Sequence, residues 1–381
     1  GTARLLEVPD CYPVYEHCEV TYFPLGEEQF AALLREMAEA RQFIFMEYFI
    51  VEDGEMWSRM LELLAEKVRQ GVEVRLMYDG TNSIFRVPYR YPRELQALGI
   101  KCKMFSPIRP ILSTYYNNRD HRKIVVIDGH TAFTGGINLA DEYVNVKRLF
   151  GHWKDTGIMI KGEAVRSFTM MFLRMWSVSE RTVVLEPYMS ARPQAYPGHL
   201  GYVIPFGDSP FDAEHVGENV YLDIINHARD YVHIMTPYLI IDELLTSALK
   251  QAVKRGVEVE IILPHIPDKK IPFAVAYTHY KELLQAGVRL YEYTPGFVHA
   301  KEFISDDKAG VVGSINLDFR SLYLHFECGA YLYKAPVLRA MEKDFVKTRG
   351  QCQRITLDRL REIPLYRKLL GPLIKIFAPL M

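Results

Sequence analysis

Two segments of the chain carry the same reactive residue types at the same spacing. His121, Lys123 and Asp128 lie in HRKIVVID, and His299, Lys301 and Asp306 lie in HAKEFISD, so both read H-x-K-x4-D. Each is followed by a glycine turn and an asparagine, GGIN ending at Asn138 and GSIN ending at Asn316. One copy alone is a weak signal, because a surface His-Lys pair arises easily by chance. Two copies whose flanks also match point to two-step displacement at a phosphodiester. One imidazole attacks phosphorus and the other protonates the departing oxygen. A histidine and a lysine two apart on a predicted strand project from one face. The two ammonium groups and the amides of Asn138 and Asn316 would then face the non-bridging oxygens, where negative charge develops.

A nucleophilic histidine must be neutral and oriented, usually by a carboxylate on its other nitrogen. Glu327, beyond Asn316, is the expected orienter of His299; Glu142, with Asp141 as the alternative, is the expected orienter of His121. Asp128 and Asp306 fall at the far ends of the predicted strands and are expected to fix loop and strand packing rather than touch substrate. No metal site is expected, since the carboxylates lie far in sequence from a second histidine and lysine is a poor neighbour for a cation. No other cofactor is expected either. A G-x-S-x-G nucleophile turn is absent from the sequence, which counts against a Ser-His-Asp hydrolase.

The elements that must position these residues are also duplicated. FIFMEYFIVED from Phe43 resembles HIMTPYLIIDE from His233, and each precedes an amphipathic helix, MWSRMLELLAEKVRQG or LLTSALKQAVKRG. Gly71 and Gly256 read as helix C-terminal caps. The runs VEVRLMYD and VEVEIILP, then LQALGIKCKMF and LLQAGVRLYEY, repeat strand, helix end and strand. The predicted class is α/β: two similar halves, each a mostly parallel or mixed sheet flanked by helices, related by a pseudo-two-fold axis with one shared cleft. The expected division is a first half over 1–195 (1–35 a lead-in), a second over 196–350, and a basic amphipathic segment over 351–381. Pro187, Pro193, Pro197 and Gly198 mark the seam.

Composition narrows the partners. The 381 residues are 49% hydrophobic and 24% charged, as in an ordinary globular protein, with a formal net charge of -1. No global cationic field gathers nucleic acid, so none is expected as partner. Cys11, Cys18, Cys102, Cys328 and Cys352 are odd in number and form no C-x-x-C pair, which fits free thiols better than a disulfide framework or a zinc site. No run of 18 apolar residues is present, and the chain opens on glycine, so a native N-terminal segment absent from this chain is expected.

With both motifs in place, the chain resembles the phospholipase D superfamily from about residue 40 to 350. The resemblance is closer to the bacterial cardiolipin synthase branch. RDHRKIVVIDG with AFTGGINLADEY, HWKDTGIMIKGEAV, FTMMFLRMW, TPYL, GVEVEIILP, AGVRLYEY, GFVHAKEF and GSINLDFRS match that branch in order. TPYLIID lacks a second proline that the family often carries there, and GSIN has serine where threonine is common. The resemblance implies a phosphatidyl-histidine intermediate: one phosphatidylglycerol gives up its phosphatidyl group and releases glycerol, and a second attacks to give cardiolipin. It implies His121 as nucleophile and His299 as general acid-base, although the motif itself is symmetric. A phospholipase D using water or another alcohol, or a phosphatidylserine synthase relative, would use the same histidines. A nuclease would want a basic, aromatic groove, and an inactive membrane scaffold would need neither motif.

A lipid substrate implies a membrane surface as partner and a bacterial cell membrane as location, with the missing N-terminal segment as anchor. LYRKLLGPLIKIFAPLM sets Arg367, Lys368 and Lys375 among apolar residues, as either an interfacial helix or a packed terminal helix would. PIRPILSTYY before the first motif reads equally as a lipid-facing loop or an ordinary connection. Trp57, Trp153 and Trp176 read as packing residues. The oligomeric state leaves no mark in the sequence.

Overall fold

The computed structural model describes residues 12–107, 117–180, 182, 184–190, 193–198, 200–212 and 214–361. The PIRPILSTYY loop from residue 108 onward, and the basic C-terminal segment from residue 362, lie outside the described residues.

The first half supplies β1 (Glu19–Phe23), β2 (Phe43–Tyr48), β3 (Glu73–Asp79), β4 (Lys101–Phe105), β5 (Ile124–Ile127), β6 (Thr131–Gly135), β7 (His152–Lys154) and β8 (Gly157–Lys161). The second supplies β9 (Tyr202–Asp208), β10 (Tyr231–Met235), β11 (Glu258–Pro264), β12 (Arg289–Tyr293), β13 (Gly296–Val298), β14 (Glu302–Ser305), β15 (Ala309–Gly313), β16 (Glu327–Tyr333) and β17 (Cys352–Arg354). One sheet runs β1-β8-β6-β5-β2-β3-β4, and the other runs β9-β16-β15-β14-β10-β11-β12 with β17 added at the edge. Strand for strand the first seven positions correspond. The duplication read from sequence is therefore a duplication of topology.

Both sheets are mixed, one of the two arrangements expected. Only β2-β3-β4 and β10-β11-β12 pair in parallel, because helical crossovers join them. Each H-x-K-x4-D segment instead runs into a tight hairpin, β5-β6 or β14-β15, and the strands beyond it stay antiparallel.

Helices α1 (Gly26–Ala38) and α2 (Glu55–Arg69) cover the outer face of the first sheet through Phe30, Leu33, Met37, Trp57, Met60 and Leu64. Between the sheets lies α3 (Val165–Ser177). The outer face of the second sheet carries α4 (Val216–His227), α5 (Glu243–Lys254) and α6 (Lys270–Ala286). A last long helix, α7 (Leu338–Arg349), returns to the middle layer beside α3. Phe168 and Phe172 of α3 and Met341 and Phe345 of α7 fill one core with Phe45 and Val126 of the first sheet and Met235, Ile304 and Val312 of the second. Burial of each such side chain is worth roughly 1.5–3 kcal/mol. That shared core fixes one half against the other. Gly71 (φ 88°) and Gly256 (φ 90°) follow α2 and α5 in the left-handed conformation, the capping role expected of them. Trp57, Trp153 and Trp176 are all buried.

Candidate active site

Both histidines sit in extended segments just before a strand, β5 for His121 and β14 for His299, rather than within the strands expected. Each is held by backbone from the opposite half. The His121 N–H donates to the Phe326 carbonyl at 2.9 Å, and the Phe326 N–H donates to the Arg119 carbonyl at 2.8 Å. The His299 N–H donates to the Lys154 carbonyl at 2.7 Å, continuing the parallel pairing of β13 with β7 across the halves. Gly296 makes that approach possible, since a Cβ there would lie 2.3 Å from the His152 carbonyl oxygen.

The side chains are exchanged in the same crosswise way. Glu327, at the start of β16, places Oε1 2.8 Å from His121 Nδ1. Asp155, directly after β7, places Oδ2 2.6 Å from His299 Nδ1. This corrects the sequence expectation on both sides: Glu327 orients the histidine of the other half, and Glu142 does not serve His121. Glu142 instead lies 3.6 Å from Arg86, and Asp141 accepts the backbone N–H groups of Glu55 and Met56 at the start of α2. Both acids belong to the loop after Asn138 that closes on that helix, which keeps them from His121. Sequence reasoning missed Asp155 although it stands in HWKDTG. It follows Asn138 by 17 residues, whereas Glu327 follows Asn316 by 11, and the extra loop hides their equivalence.

The two carboxylates are supported differently. Gly136 and Ser314 are the second residues of GGIN and GSIN. A Cβ at Gly136 would sit 2.1 Å from Asp155 Oδ1, so only glycine admits that carboxylate, which also accepts the Thr156 N–H at 2.9 Å. Ser314 instead offers its hydroxyl to Glu327 Oε2.

Burial sets the protonation states. It drives the His121 pKa well down, with Lys123 adding to the shift and Glu327 opposing it. It takes His299 down to about 4, with Lys301 adding to it and Asp155 opposing. Both imidazoles are thus neutral at pH 7. With Nδ1–H given to a carboxylate, each leaves its Nε2 lone pair for chemistry. Burial would raise Asp155 and Glu327, yet the adjoining imidazoles and lysines outweigh it and hold both carboxyls low. Lys123 is lowered by burial to about 8 and Lys301 to about 7. Each lysine turns its ammonium to the carbonyl of its own motif histidine. Because each motif histidine is held by a carboxylate of the other half, the two motifs form one site.

The remaining motif residues build the frame. Asp128 (φ 51°) accepts the N–H groups of Arg41, Gln42 and Phe43 at 2.7–2.8 Å, and Asp306 (φ 55°) accepts those of Arg229, Asp230 and Tyr231 at 2.9 Å. Each staples its hairpin turn to the start of the neighbouring strand, as expected. Asn138 accepts the Ile50 N–H and donates to the Tyr143 hydroxyl, tying down the loop after β6. The Asn316 Oδ1 is buried without a hydrogen-bond partner among the described residues.

The family model described as cardiolipin synthase, PLD-like domain, matches residues 33–176 and 221–349, one span in each half. The chain belongs to this phospholipase D-like cardiolipin synthase family. Among relatives of this family member, an "Uncharacterized protein" of Streptococcus mutans is 52% identical over 379 residues, covering 100% of this chain and 82% of that one. "Cardiolipin synthase 2" of Bacillus anthracis is 37% identical over 93% of this chain and 69% of its own length. The crystal structure of a phosphatidylserine synthase from Haemophilus influenzae shares the fold, with a TM-score of 0.71, 16% identity and 94% coverage of both chains.

Proposed function

We propose that this protein is a cardiolipin synthase acting at a bacterial membrane surface. His121 Nε2 attacks the phosphorus of one phosphatidylglycerol, and the P–O bond to the head-group glycerol breaks. His299, protonated at Nε2 from solvent once the anionic phosphodiester lies beside it, gives that proton to the departing glycerol oxygen. The same imidazole then takes the proton from a hydroxyl of a second phosphatidylglycerol, whose oxygen attacks phosphorus and displaces His121. Cardiolipin and glycerol are the products, and neither step consumes a nucleotide. The observation that carries this reading is the pair of buried imidazoles, each with Nδ1 on a carboxylate of the opposite half. Lys123 and Lys301 supply positive charge to the non-bridging oxygens. Asn138 ties down Tyr143, whose ring packs on His299, and Asp128 and Asp306 hold the hairpins.

The family relationship supports phosphatidylglycerol as donor and acceptor, and the near-neutral net charge gives no support to a nucleic-acid substrate. Among the described residues no helix is long and apolar enough to cross a membrane. Incubation of the protein in phosphatidylglycerol micelles, without added metal or nucleotide, is expected to yield cardiolipin and glycerol. Phosphatidic acid as the sole lipid product would establish a hydrolase instead. In His121→Ala, trapping of labelled phosphatidyl group on the protein is expected to vanish. Label that persisted there and disappeared in His299→Ala would reverse the two roles.

A further inference from the structure

The pseudo-two-fold symmetry of the site breaks at one position. Phe326 and Lys154 are equivalent, since their carbonyls receive the His121 and His299 N–H groups and the carboxylates Glu327 and Asp155 follow them directly. The residues before them are His325 and Trp153. Each lays its ring beside the histidine of the opposite half in nearly the same geometry. Ring centroids are 5.5 Å apart at 41° for His325 on His121, and 5.3 Å apart at 38° for Trp153 on His299. One histidine thus has an indole for its neighbour, and the other has a third imidazole.

That imidazole is poorly accounted for by packing. The His325 side chain is only 10% exposed, and neither ring nitrogen has a hydrogen-bond partner among the described residues. Its Nδ1 stands 3.8 Å from Glu327 Oε1, beyond hydrogen-bond distance, while that oxygen is already engaged by His121. Leaving a buried donor and acceptor unmet is costly, and such groups mark places of strain, of catalysis, or where a water, ion or ligand meets them. His121, His325 and Glu327 also bring donor atoms close enough for a metal ion. Lys123, beside His121, makes the space suited to an anion instead.

We propose that His325 is a further phosphate-binding residue, donating a hydrogen bond to a non-bridging oxygen of the phosphoryl group attached to His121. This rests on the reading of His121 as the phosphorylated residue, and it gives that histidine a stabilising donor that Trp153 does not reproduce as an imidazole at His299. The halves are chemically unequal for this reason.

The test uses the full chain with inorganic phosphate as probe, in wild type, His325→Phe and His325→Gln. Phosphate titration is expected to move the His325 ring resonances in the wild-type NMR spectrum. Phosphate affinity is expected to fall about tenfold to a hundredfold in His325→Phe, the loss of one hydrogen bond to a charged group. His325→Gln, which keeps an N–H donor, is expected to recover part of the loss. Wild-type affinity in a folded His325→Phe overturns the proposal, and so do ring resonances that ignore phosphate, a readout that needs no variant to fold. If wild type binds phosphate through His325 yet makes no cardiolipin, the acceptor assignment above falls while the role of His325 stands.

Discussion

Replacing Glu327 by Gln is nearly isosteric and tests whether the halves exchange orienting groups. The amide oxygen can still accept from the Ser314 hydroxyl, which turns the NH2 toward His121 Nδ1. The imidazole must then accept at Nδ1 and carry its proton on Nε2, the atom that has to attack. A wrong-tautomer substitution of this kind in a serine protease triad lowers kcat by about 10⁴. Glu327 is fully buried and its bond to His121 is 2.8 Å, so a comparable loss of about 10³–10⁴ is expected here, about 4–5.5 kcal/mol in the barrier. The assay is rapid-quench trapping of radiolabelled phosphatidyl group on the protein, followed by identification of the labelled residue. Glu327→Gln is expected to suppress labelling of His121, whereas Asp155→Asn is expected to let label form slowly and persist, because the impaired group is then the acid-base. A Glu327→Gln enzyme that labels His121 within threefold of the wild-type rate refutes the crosswise assignment. So would a deficit confined to the step that His299 performs.

Three further outcomes follow from the same geometry. Because burial lowers Lys123 to about 8 and Lys301 to about 7, part of their charge is lost between pH 7 and 8, and a bound phosphate restores it. Phosphate binding should therefore weaken as pH rises through that window and take up protons, measurable by titration calorimetry in buffers of different ionisation enthalpy. Asp128→Ala removes the acceptor of three backbone N–H groups and should cost about 2–4 kcal/mol of stability in urea denaturation. Gly136→Ala drives a methyl group into Asp155 and should slow turnover at least tenfold with little change in melting temperature, whereas an unaffected rate would mean that Asp155 does not need its present position.

Much of this site was legible in the sequence. The two H-x-K-x4-D motifs named both histidines and lysines, and the repeated strand-helix-strand series announced two equivalent sheets. The packing role of Asp128 and Asp306 could be read from their place at the strand ends. The partnership of Glu327 could not. Sequence proximity favours partners within one half, while β16 delivers its carboxylate across the interface only because the shared core around Phe172 and Met341 sets the two sheets face to face. Asp155 was hidden by a longer loop before it, and His325 by the fact that its equivalent is a tryptophan. The sequence left parallel and mixed pairing open because apolar runs such as IVVI are buried on both faces whichever way their neighbours run.

The crosswise carboxylates also impose an order on biosynthesis. When the first half emerges during translation it already contains His121, but the group that fixes its tautomer is 206 residues further along the chain. His299 is synthesised long after Asp155, yet it too needs the docked interface to meet it. A nascent or truncated first half therefore holds one unaimed imidazole, that of His121. Lipid-modifying reactivity arises in a single event, when the second half folds against the first, and separation of the halves would disarm both histidines at once.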